Sequence, residues 1–333
     1  MTHPYLEEIK PNEFGFVGEH PKIQIVCKMI NHLASLDVTV NVQGESGTGK
    51  EFIARALHNY SFRNEEPFIA INCGVFTESL LEAELFGTER GRAIGVDAYP
   101  GLLEQAHKGT LFLDEITEMS TRIQVALLRA LQERKIVRIG GNVSKPKDIS
   151  FRLITASSRK LEGTLREDFY YRITQVPIDV PPLRERGDDV GLLAKYFCGK
   201  ESDRVGKELY LSDETLEFLS NYSWPGNVRQ LENAVIRASA LHGINSEDEI
   251  KILMPSHFDF LNETSSKGGS QIPMHLTGTL NDVNEDLNRA FIVQRLKETE
   301  GNITKAASSL GIIRTTLIYK LKKYGINPHD YNK

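Results

Sequence analysis

Short apolar runs alternate with helical patterns between Val38 and Pro182. Four of the runs are rich in β-branched and aromatic residues, which favours strands; they cover residues 38–42, 68–72, 110–114 and 151–156. Apolar residues at helical spacing predict helices between them, over residues 50–60, 78–86 and 121–134. Because alternating strands and helices build a parallel sheet covered on both faces, this region is predicted to have an α/β fold.

The remainder of the chain predicts two further units. Helical periodicity alone runs from Leu183 to Met254, which indicates a smaller helical lid. A stretch rich in Ser, Gly, Asn, Thr and Pro follows and is typical of a linker, and helical periodicity then returns. The predicted units are an N-terminal segment (1–15), an α/β core (16–182), a helical lid (183–254), a linker (255–286) and a small all-α terminal module (287–333).

Composition narrows the class of protein. The chain has 333 residues, of which 40% are hydrophobic and 26% charged, as in soluble globular proteins. Since no apolar run approaches the length of a membrane span, we expect no membrane partner. The three cysteines (Cys27, Cys73 and Cys198) are odd in number and widely spaced, which predicts reduced thiols and a cytoplasmic location.

Charge is distributed unevenly along the chain. The net charge is −5, yet residues 287–333 hold nine Lys and Arg against three acids, which gives this module +6 and leaves −11 for the rest. A basic module on an acidic body is the pattern expected where one end of a protein meets nucleic-acid phosphates.

A glycine-rich loop follows the first predicted strand and opens a helix, the context that indicates a phosphate-binding loop. Its residues are Gly44, Glu45, Ser46, Gly47, Thr48, Gly49 and Lys50. The glycines let backbone N–H groups wrap phosphates, and Lys50 adds a charge for the β- and γ-oxygens of ATP. Glu51 stands where a Ser or Thr usually binds Mg²⁺, so the sequence leaves that ligand open.

A second motif supplies carboxylates. Asp114 and Glu115 end an apolar strand, and such strand ends lie beside the phosphate loop in parallel sheets. Asp114 is predicted to hold Mg²⁺, and Glu115 to polarise the attacking water.

The motifs together resemble the AAA+ domain of bacterial enhancer-binding proteins, which remodel RNA polymerase carrying sigma-54. The resemblance extends from Phe16 to Met254. It rests on GESGTGKE at 44–51, Asn72-Cys73, ELFG at 84–87, GTLFLDEI at 109–116, LLR at 127–129, LREDFYYR at 165–172, PPLRER at 181–186 and WPGNVRQLEN at 224–233. That family also has Glu after the loop lysine, so Glu51 conforms to its pattern.

The resemblance implies further roles. Arg166 and Arg172 match arginines that reach into a neighbouring subunit's site, which implies a homo-oligomer, expected to be a hexamer. Arg229 matches a nucleotide-sensing residue of the lid, and Asn72 matches the residue that holds Glu115 until the nucleotide state changes. Ser158 stands where the family usually has Asn.

One loop departs from the family pattern. Members carry a G-A-F-T-G-A hexapeptide whose Phe and Thr touch sigma-54, whereas this chain has Ala93 and Ile94 in those places, within residues 91–96. An aromatic anchor supplies an outsized share of contact energy. Two interpretations follow: either the sigma-54 contact is lost, or the loop acts on a different partner.

The terminal module has the pattern of a helix-turn-helix and resembles the Fis-type domain of the same regulators. Gly301-Asn302 separates a first helix from a second that ends at Gly311, and a third helix starts at Arg314 with Leu317, Leu321 and Tyr324 on one face. The predicted contacts to double-stranded DNA are Arg314, Thr315, Thr316 and Tyr319 in the major groove and Lys320, Lys322 and Lys323 at phosphates.

The leading interpretation is an oligomeric ATPase that binds DNA and controls transcription through an RNA polymerase sigma factor. One alternative is a sigma-54-independent repressor or activator in which ATP is a ligand or switch. Another is a AAA+ remodeller of an unrelated protein. Because the segment before Phe16 is short, we expect regulation by a separate protein or a small ligand.

Overall fold

The computed structural model describes residues 11–89, 98–142, 144–242 and 250–261, together with nine single positions near the C-terminus. Those positions are Leu296, Thr299, Asn302, Ile303, Lys305, Ala306, Leu317, Leu321 and Ile326. The chain divides into two units, Met1–Ser265 and Ser266–Lys333. None of the described helices is both long enough and apolar enough to cross a membrane.

The elements of the first unit follow one another along the chain with short connections. The helices are α1 (Pro21–Ala34), α2 (Lys50–Asn59), α3 (Glu78–Phe86), α4 (Leu102–Gln105), α5 (Thr121–Glu133), α6 (Glu167–Ile173), α7 (Asp189–Val205), α8 (Asp213–Asn221) and α9 (Asn227–His242). The strands are β1 (Val40–Gln43), β2 (Phe68–Asn72), β3 (Gly87–Thr88), β4 (Tyr99–Pro100), β5 (Thr110–Asp114), β6 (Lys135–Ile136), β7 (Lys147–Asp148), β8 (Arg152–Ser157), β9 (Val176–Asp179), β10 (Glu208–Leu211) and β11 (Ile250–Leu253).

Within the described residues, five strands form one parallel sheet in the order β2-β5-β8-β1-β9. The predicted α/β fold is confirmed, and β2, β5 and α3 have the predicted bounds. Edge strand β9 lies outside the predicted strands because Pro177 interrupts its short apolar run. Proline lacks the N–H needed for pairing on both sides, which suits it to a sheet edge.

The sheet is covered on both faces, as its alternating side chains require. Phe112 of β5 packs with Val40 and Val42 of β1 in the cluster that includes α1 and α2. Leu111 and Leu113 of β5 point the other way and join the cluster that includes α3, α5 and α6. Both clusters are almost fully buried, so the strands at the centre of the sheet are shielded from water on both sides.

The N-terminal segment contributes to this core. Phe14 is buried against α1 and α2. The side-chain oxygen of Asn12 accepts hydrogen bonds from the backbone N–H of Phe14 at 3.1 Å and of Phe16 at 2.9 Å. The packed body therefore begins before Phe16, the first residue of the predicted core.

The lid contains strands as well as helices. The predicted helical lid is confirmed by α7, α8 and α9, and it also holds β10 and β11, which pair in parallel and were not predicted. Each strand has only four residues, too few for a period-2 pattern to stand out from helical periodicity. The lid core also extends beyond Met254, because Phe258 and Leu261 are buried in the same cluster as Trp224 of the lid.

The second unit is described at a few positions. Leu296, Ala306, Leu317 and Leu321 form a buried cluster, as the predicted face with Leu317 and Leu321 requires. The Asn302 side chain accepts a hydrogen bond from the N–H of Lys305 at 3.1 Å, the geometry of a helix N-cap. Tyr324 and the seven predicted DNA contacts lie outside the described residues.

A buried arginine joins the two helices on one face of the sheet. Arg152 of β8 donates to the carbonyls of Leu33 and Ala34 in the last turn of α1, at 2.8 and 3.1 Å. It also donates to the Leu57 carbonyl of α2 at 3.2 Å. Burial lowers the pKa of this guanidinium to about 10. Carbonyls in the last turn of a helix lack a partner within the helix, so Arg152 binds those of Ala34 and Leu57 and adds a second hydrogen bond to that of Leu33, which also accepts from the N–H of Leu36 at 3.0 Å.

We expect Arg152→Met to lower the free energy of unfolding by about 3 kcal/mol, because the carbonyls it leaves cannot reach water. Urea denaturation followed by circular dichroism measures the change. Arg129→Met is the matched control, since Arg129 is 72% exposed and, among the described contacts, pairs with Glu133 one turn later. Equal stability of the two variants would contradict this account of the core.

Candidate active site

The site lies at the edge of the sheet where β1, β5 and β8 end. Parallel strands present their carboxyl ends on the same side. β1 leads into the phosphate loop, β5 ends in Asp114, and β8 is followed by Ser158. The structure therefore brings together three segments that are far apart in sequence.

The phosphate loop has the backbone that its glycines permit. Gly47 and Gly49 have φ angles of +79° and +97°, in the left-handed region that favours glycine. The Thr48 hydroxyl donates to the Glu45 carbonyl at 2.8 Å. Lys50 is 7% exposed, and its Nζ donates to the carbonyls of Gly44 at 2.8 Å and Glu45 at 3.2 Å. The ammonium group is thus held against the loop at the start of α2.

The two predicted carboxylates lie beside this lysine. Glu115 Oε1 is 3.7 Å from Lys50 Nζ. One oxygen of Asp114 accepts from the backbone N–H of Glu115 at 3.0 Å. Burial raises the pKa of the Asp114 carboxyl above its ordinary value, and the charge of Glu115 adds to the rise. Two adjacent carboxylates in a half-buried site repel each other, so the pair favours binding of a cation.

Ser158 holds the Glu115 side chain. Glu115 has a φ of 49°, a left-handed conformation that is uncommon outside glycine. Its Oε2 accepts two hydrogen bonds from Ser158, one from the backbone N–H at 3.1 Å and one from the hydroxyl at 2.7 Å. The carboxylate is therefore oriented with Oε2 toward Ser158 and Oε1 toward Lys50.

Asn72 contacts a different carboxylate from the one predicted. Its Nδ2 donates to Asp114 Oδ2 at 3.1 Å, and its side-chain oxygen accepts from the N–H of Gly74 at 2.9 Å. The strand register explains the difference, because Asn72 lies directly opposite Asp114 in the β2–β5 pair. Glu115 follows one residue later and turns toward the end of β8. In this structure Ser158, and not Asn72, holds Glu115.

The lid contacts the outer side of the phosphate loop. Asn227 is completely buried, and its Nδ2 donates to Glu45 Oε2 at 3.1 Å and to the Ser46 carbonyl at 3.0 Å. Arg186 donates to the Thr48 carbonyl at 3.1 Å, and burial lowers the pKa of its guanidinium to about 10. The packing is close at Gly47, where a Cβ atom would lie 2.3 Å from the Gly226 carbonyl oxygen.

Arg184 also contacts the loop, through two hydrogen bonds to the Glu45 carboxylate. Three residues of the contact between lid and loop were not among the predicted site residues: Arg184, Arg186 and Asn227. All three belong to the PPLRER and WPGNVRQLEN motifs, so the signal was present in the sequence. Their contacts could not be inferred from it, because Asn227 and Glu45 are 182 positions apart.

Other predicted residues are placed as follows. The backbone N–H of Arg229 donates to the Gly47 carbonyl at 3.3 Å, which sets this lid residue on the loop. Glu51 points away from the site, where it pairs with Arg55 at 2.7 Å on an exposed face of α2. Its predicted place among the nucleotide contacts is therefore not supported by the geometry.

Arg166 and Arg172 lie at the start and in the last turn of α6. Arg166 pairs with Asp168 at 2.8 Å, and Arg172 donates to the Leu131 carbonyl at 3.5 Å. Among the described contacts, neither arginine reaches Asp114 or Glu115.

The altered loop at residues 91–96, with Ala93 and Ile94, lies outside the described residues, but its two bases are described. Gly87–Thr88 and Tyr99–Pro100, which flank the loop in the sequence, pair as an antiparallel ribbon. Glu104 accepts two hydrogen bonds from Arg138, at 2.5 and 2.8 Å, and one from Lys147 at 2.7 Å. This ion cluster fixes the segment after the loop to the β6–β7 ribbon.

Three sequence profiles match consecutive parts of the chain. Residues 16–179 match the sigma-54 interaction domain. Residues 184–268 match a AAA+ ATPase lid domain, and residues 285–324 match bacterial regulatory proteins of the Fis family.

The chain is similar to several known regulators. It is 39% identical over 317 residues to the phenol regulator MopR of Acinetobacter guillouiae, which covers 93% of this chain and 56% of MopR. It is 40% identical over 340 residues to the transcriptional regulatory protein ZraR of Klebsiella oxytoca, covering 97% of this chain and 72% of ZraR. The chain thus spans little more than half the length of MopR.

The fold is also similar to that of NtrX from Brucella abortus, solved in complex with ATP. The TM-score is 0.68 at 30% sequence identity, and the match covers 93% of this chain and 69% of NtrX. Together with the profile matches, this likeness confirms a parallel-sheet AAA+ core with a lid.

The cysteines allow a test of how tightly the site is packed. Burial raises the pKa of the Cys73 thiol, next to Asp114, to about 12, and that of Cys198 in the lid likewise to about 12. Both folded values lie above the ordinary value of 9, so their contribution to stability is complete below pH 9 and is lost between pH 9 and 12.

We expect the folded protein at pH 9 to resist iodoacetamide at both residues, as mass spectrometry would show. Urea-unfolded protein is the control and should be fully labelled, because the thiolate is the reactive form. Rapid labelling of Cys73 in folded protein would contradict this packing.

Proposed function

The chain belongs to the bacterial enhancer-binding protein family of sigma-54-dependent transcriptional activators, and from this membership we propose that it is a DNA-binding ATPase that acts as a ring of identical subunits. The hydrolysis it carries out would be coupled to remodelling of RNA polymerase. The observation that carries the proposal is the cluster of Lys50, Asp114 and Glu115 beside an open phosphate loop.

ATP with Mg²⁺ fits the residues at the site. NtrX, with a similar fold, has been solved with ATP bound. The loop offers backbone N–H groups at the start of α2, and Lys50 can exchange its carbonyl partners for phosphate oxygens. Asp114 would hold Mg²⁺, which neutralises charge on the β- and γ-phosphates. Burial, and then the charge of Glu115, disfavours the ionised form of Asp114, and a bound cation would offset both effects.

Glu115 is the residue that would act on water. Ser158 occupies Oε2 with two hydrogen bonds, which leaves Oε1, on the side of Lys50, to accept a proton from the attacking water. Fixing the carboxylate in advance lowers the cost of orientation at the moment of reaction. Arg229 enters from the lid on the same loop and would respond to the bound phosphates.

Arg166 and Arg172 would complete the site of a neighbouring subunit. Both lie on α6, and neither contacts Lys50, Asp114 or Glu115 among the described contacts of one subunit. An arginine supplied in trans stabilises the charge that develops on the transferring phosphoryl group. A contact in which each subunit donates arginines to the next is head-to-tail, and repeating such a contact can close a ring of identical subunits. We propose that this ring is a hexamer.

Mixing two inactive variants tests this shared site. Lys50→Ala and Arg172→Ala subunits should each lack ATPase activity, whereas a one-to-one mixture should recover about a quarter of the sites, because one variant donates the arginine that the other lacks. Phosphate release measures the recovery.

The matched control for that mixture is Lys50→Ala with Asp114→Ala. Both changes damage the same subunit's own site, so no combination restores a complete one. Recovery in this control, or none in the test mixture despite mixed oligomers, would rule out sharing of sites between subunits.

The Fis-type module makes the protein DNA-binding, and we propose the contacts for it. Arg314, Thr315, Thr316 and Tyr319 would read bases, while Lys320, Lys322 and Lys323 would bind phosphates. The excess positive charge of residues 287–333 supports this division of roles.

The loop at residues 91–96 favours an impaired or redirected sigma-54 contact. Ala93 and Ile94 offer neither the aromatic ring nor the hydroxyl of the family pattern. The same observation favours the second candidate function, a sigma-54-independent regulator in which ATP acts as a ligand or switch.

We expect the purified protein to hydrolyse ATP yet fail to form open complexes on a sigma-54 promoter. The loop and the hydrolysis residues are separate, so the two activities should separate as well. Permanganate footprinting measures opening, and restoring Phe and Thr at positions 93 and 94 should recover part of it while ATPase activity stays the same. Robust opening by the unaltered protein would show that the loop tolerates loss of its aromatic residue. Absence of hydrolysis, with ATP still bound, would instead support the switch.

A further inference from the structure

One residue of the phosphate loop carries a negative charge, and a lid arginine covers it. Glu45 Oε1 and Oε2 accept hydrogen bonds from the two terminal nitrogens of Arg184, at 2.6 and 2.8 Å. This is the parallel two-bond geometry that makes arginine a strong partner for a carboxylate. Asn227 adds a third hydrogen bond at 3.1 Å.

The Glu45 carboxylate is ionised throughout the physiological range. The hydrogen bonds from Arg184 and then Asn227 lower its pKa to about 2. While Arg184 and Asn227 are bound to it, the group therefore carries its full negative charge at neutral pH.

That charge lies close to where phosphates would bind. The Glu45 backbone carbonyl accepts a hydrogen bond from Lys50 Nζ at 3.2 Å, so the residue borders the phosphate-binding lysine. Its carboxylate is one side chain away from that carbonyl. An uncovered carboxylate there would repel a polyphosphate.

Nearby cations have other partners. Lys50 is bound to backbone carbonyls of the loop. Arg186 is buried and donates to the carbonyls of Pro181 and Thr48. Among the described contacts, Arg184 is the cationic partner of the Glu45 side chain.

Arg184 is linked to the lid, because Asn227 joins its segment to helix α9, while the adjacent Arg186 binds the phosphate loop. The side-chain oxygen of Asn227 accepts a hydrogen bond from the N–H of Leu183 at 2.8 Å, next to Arg184. The same asparagine binds Glu45 and Ser46 of the loop. Displacement of α9 from the loop would break the Asn227 hydrogen bonds to Leu183 and Glu45, which lie on both sides of the Arg184–Glu45 pair.

We propose that Arg184 masks the charge of Glu45 while the lid is docked, and that undocking of the lid exposes this charge and promotes release of the nucleotide. The inference rests on the proposed function, since it concerns the same nucleotide site. It assigns Arg184 as a positioning residue for nucleotide affinity. It also gives the lid an electrostatic means of controlling product release.

If Arg184 masks the charge of Glu45, removing either residue should change the nucleotide Kd in opposite directions. If the pair is only a structural link, both changes should weaken binding. Arg184→Ala should raise the Kd of a fluorescent ADP analogue about fivefold, because it uncovers the carboxylate. Glu45→Gln should lower the Kd, because it removes a repelling charge and frees Arg184 for the phosphates. The double variant should return close to the unaltered protein. Arg184→Gln, which keeps a hydrogen-bonding side chain, should behave as Arg184→Ala.

Salt provides a second readout. The defect of Arg184→Ala should shrink between about 50 and 500 mM salt, because ions screen the exposed carboxylate. Arg204→Ala is the matched control, since Arg204 is an exposed lid arginine paired with Glu201. It should leave the Kd and its salt dependence as they are. Thermal unfolding checks that each variant is folded.

The outcomes separate this inference from the proposed function. If the unaltered protein binds no ADP analogue and Lys50→Ala makes no difference, nucleotide binding itself is wrong. If it binds, but Arg184→Ala and Glu45→Gln weaken binding alike and the double variant is no better, the pair is a structural link and the mask is overturned. Opposite effects that cancel in the double variant establish the mask.

Discussion

The site depends on the register of parallel pairing between β5 and its neighbours. Asn72 faces Asp114 across the β2–β5 pair, while the β5–β8 pair brings Ser158 to the carboxylate that follows. A slip of one residue would turn every side chain of a strand to the opposite face. β5 is packed on both faces, with Phe112 on one and Leu111 and Leu113 on the other, so a slip would force residues of the wrong size and shape into both cores. The chemistry at the edge of the sheet is thus placed by apolar packing at its centre.

Sequence patterns predicted the elements that have strong local signals. The phosphate loop, β2, β5 and α3 were recognisable because glycine spacing, apolar runs and helical periodicity are local properties. Edge strand β9 was missed because Pro177 breaks its run. The four-residue strands β10 and β11 were missed because so short a segment has no distinctive period. Family resemblance supplied the remaining site residues, yet it placed Asn72 on Glu115, where the strand register places it on Asp114.

Contacts between the lid and the loop lie beyond what a pattern can predict. Asn227 reaches Glu45 and Ser46 only because the lid folds back across the sheet edge, and its own left-handed backbone, with a φ of 53°, sets the direction of its side chain. Such a conformation is tolerated by asparagine better than by most residues. The pairing of Glu45 with Arg184 is likewise a property of the folded lid. Sequence reasoning found both motifs, but the hydrogen bonds between them required the structure.

The hydrogen bonds of Arg152 join helices α1 and α2 to strand β8. Helix α2 is held at both ends, since Lys50 at its start lies in the phosphate loop and Leu57 in its last turn is bonded to Arg152. The same guanidinium holds α1 and belongs to the strand that precedes Ser158. These elements are therefore joined by hydrogen bonds into one frame. A substitution deep under α1 can consequently alter the alignment of the lysine without touching any atom near it.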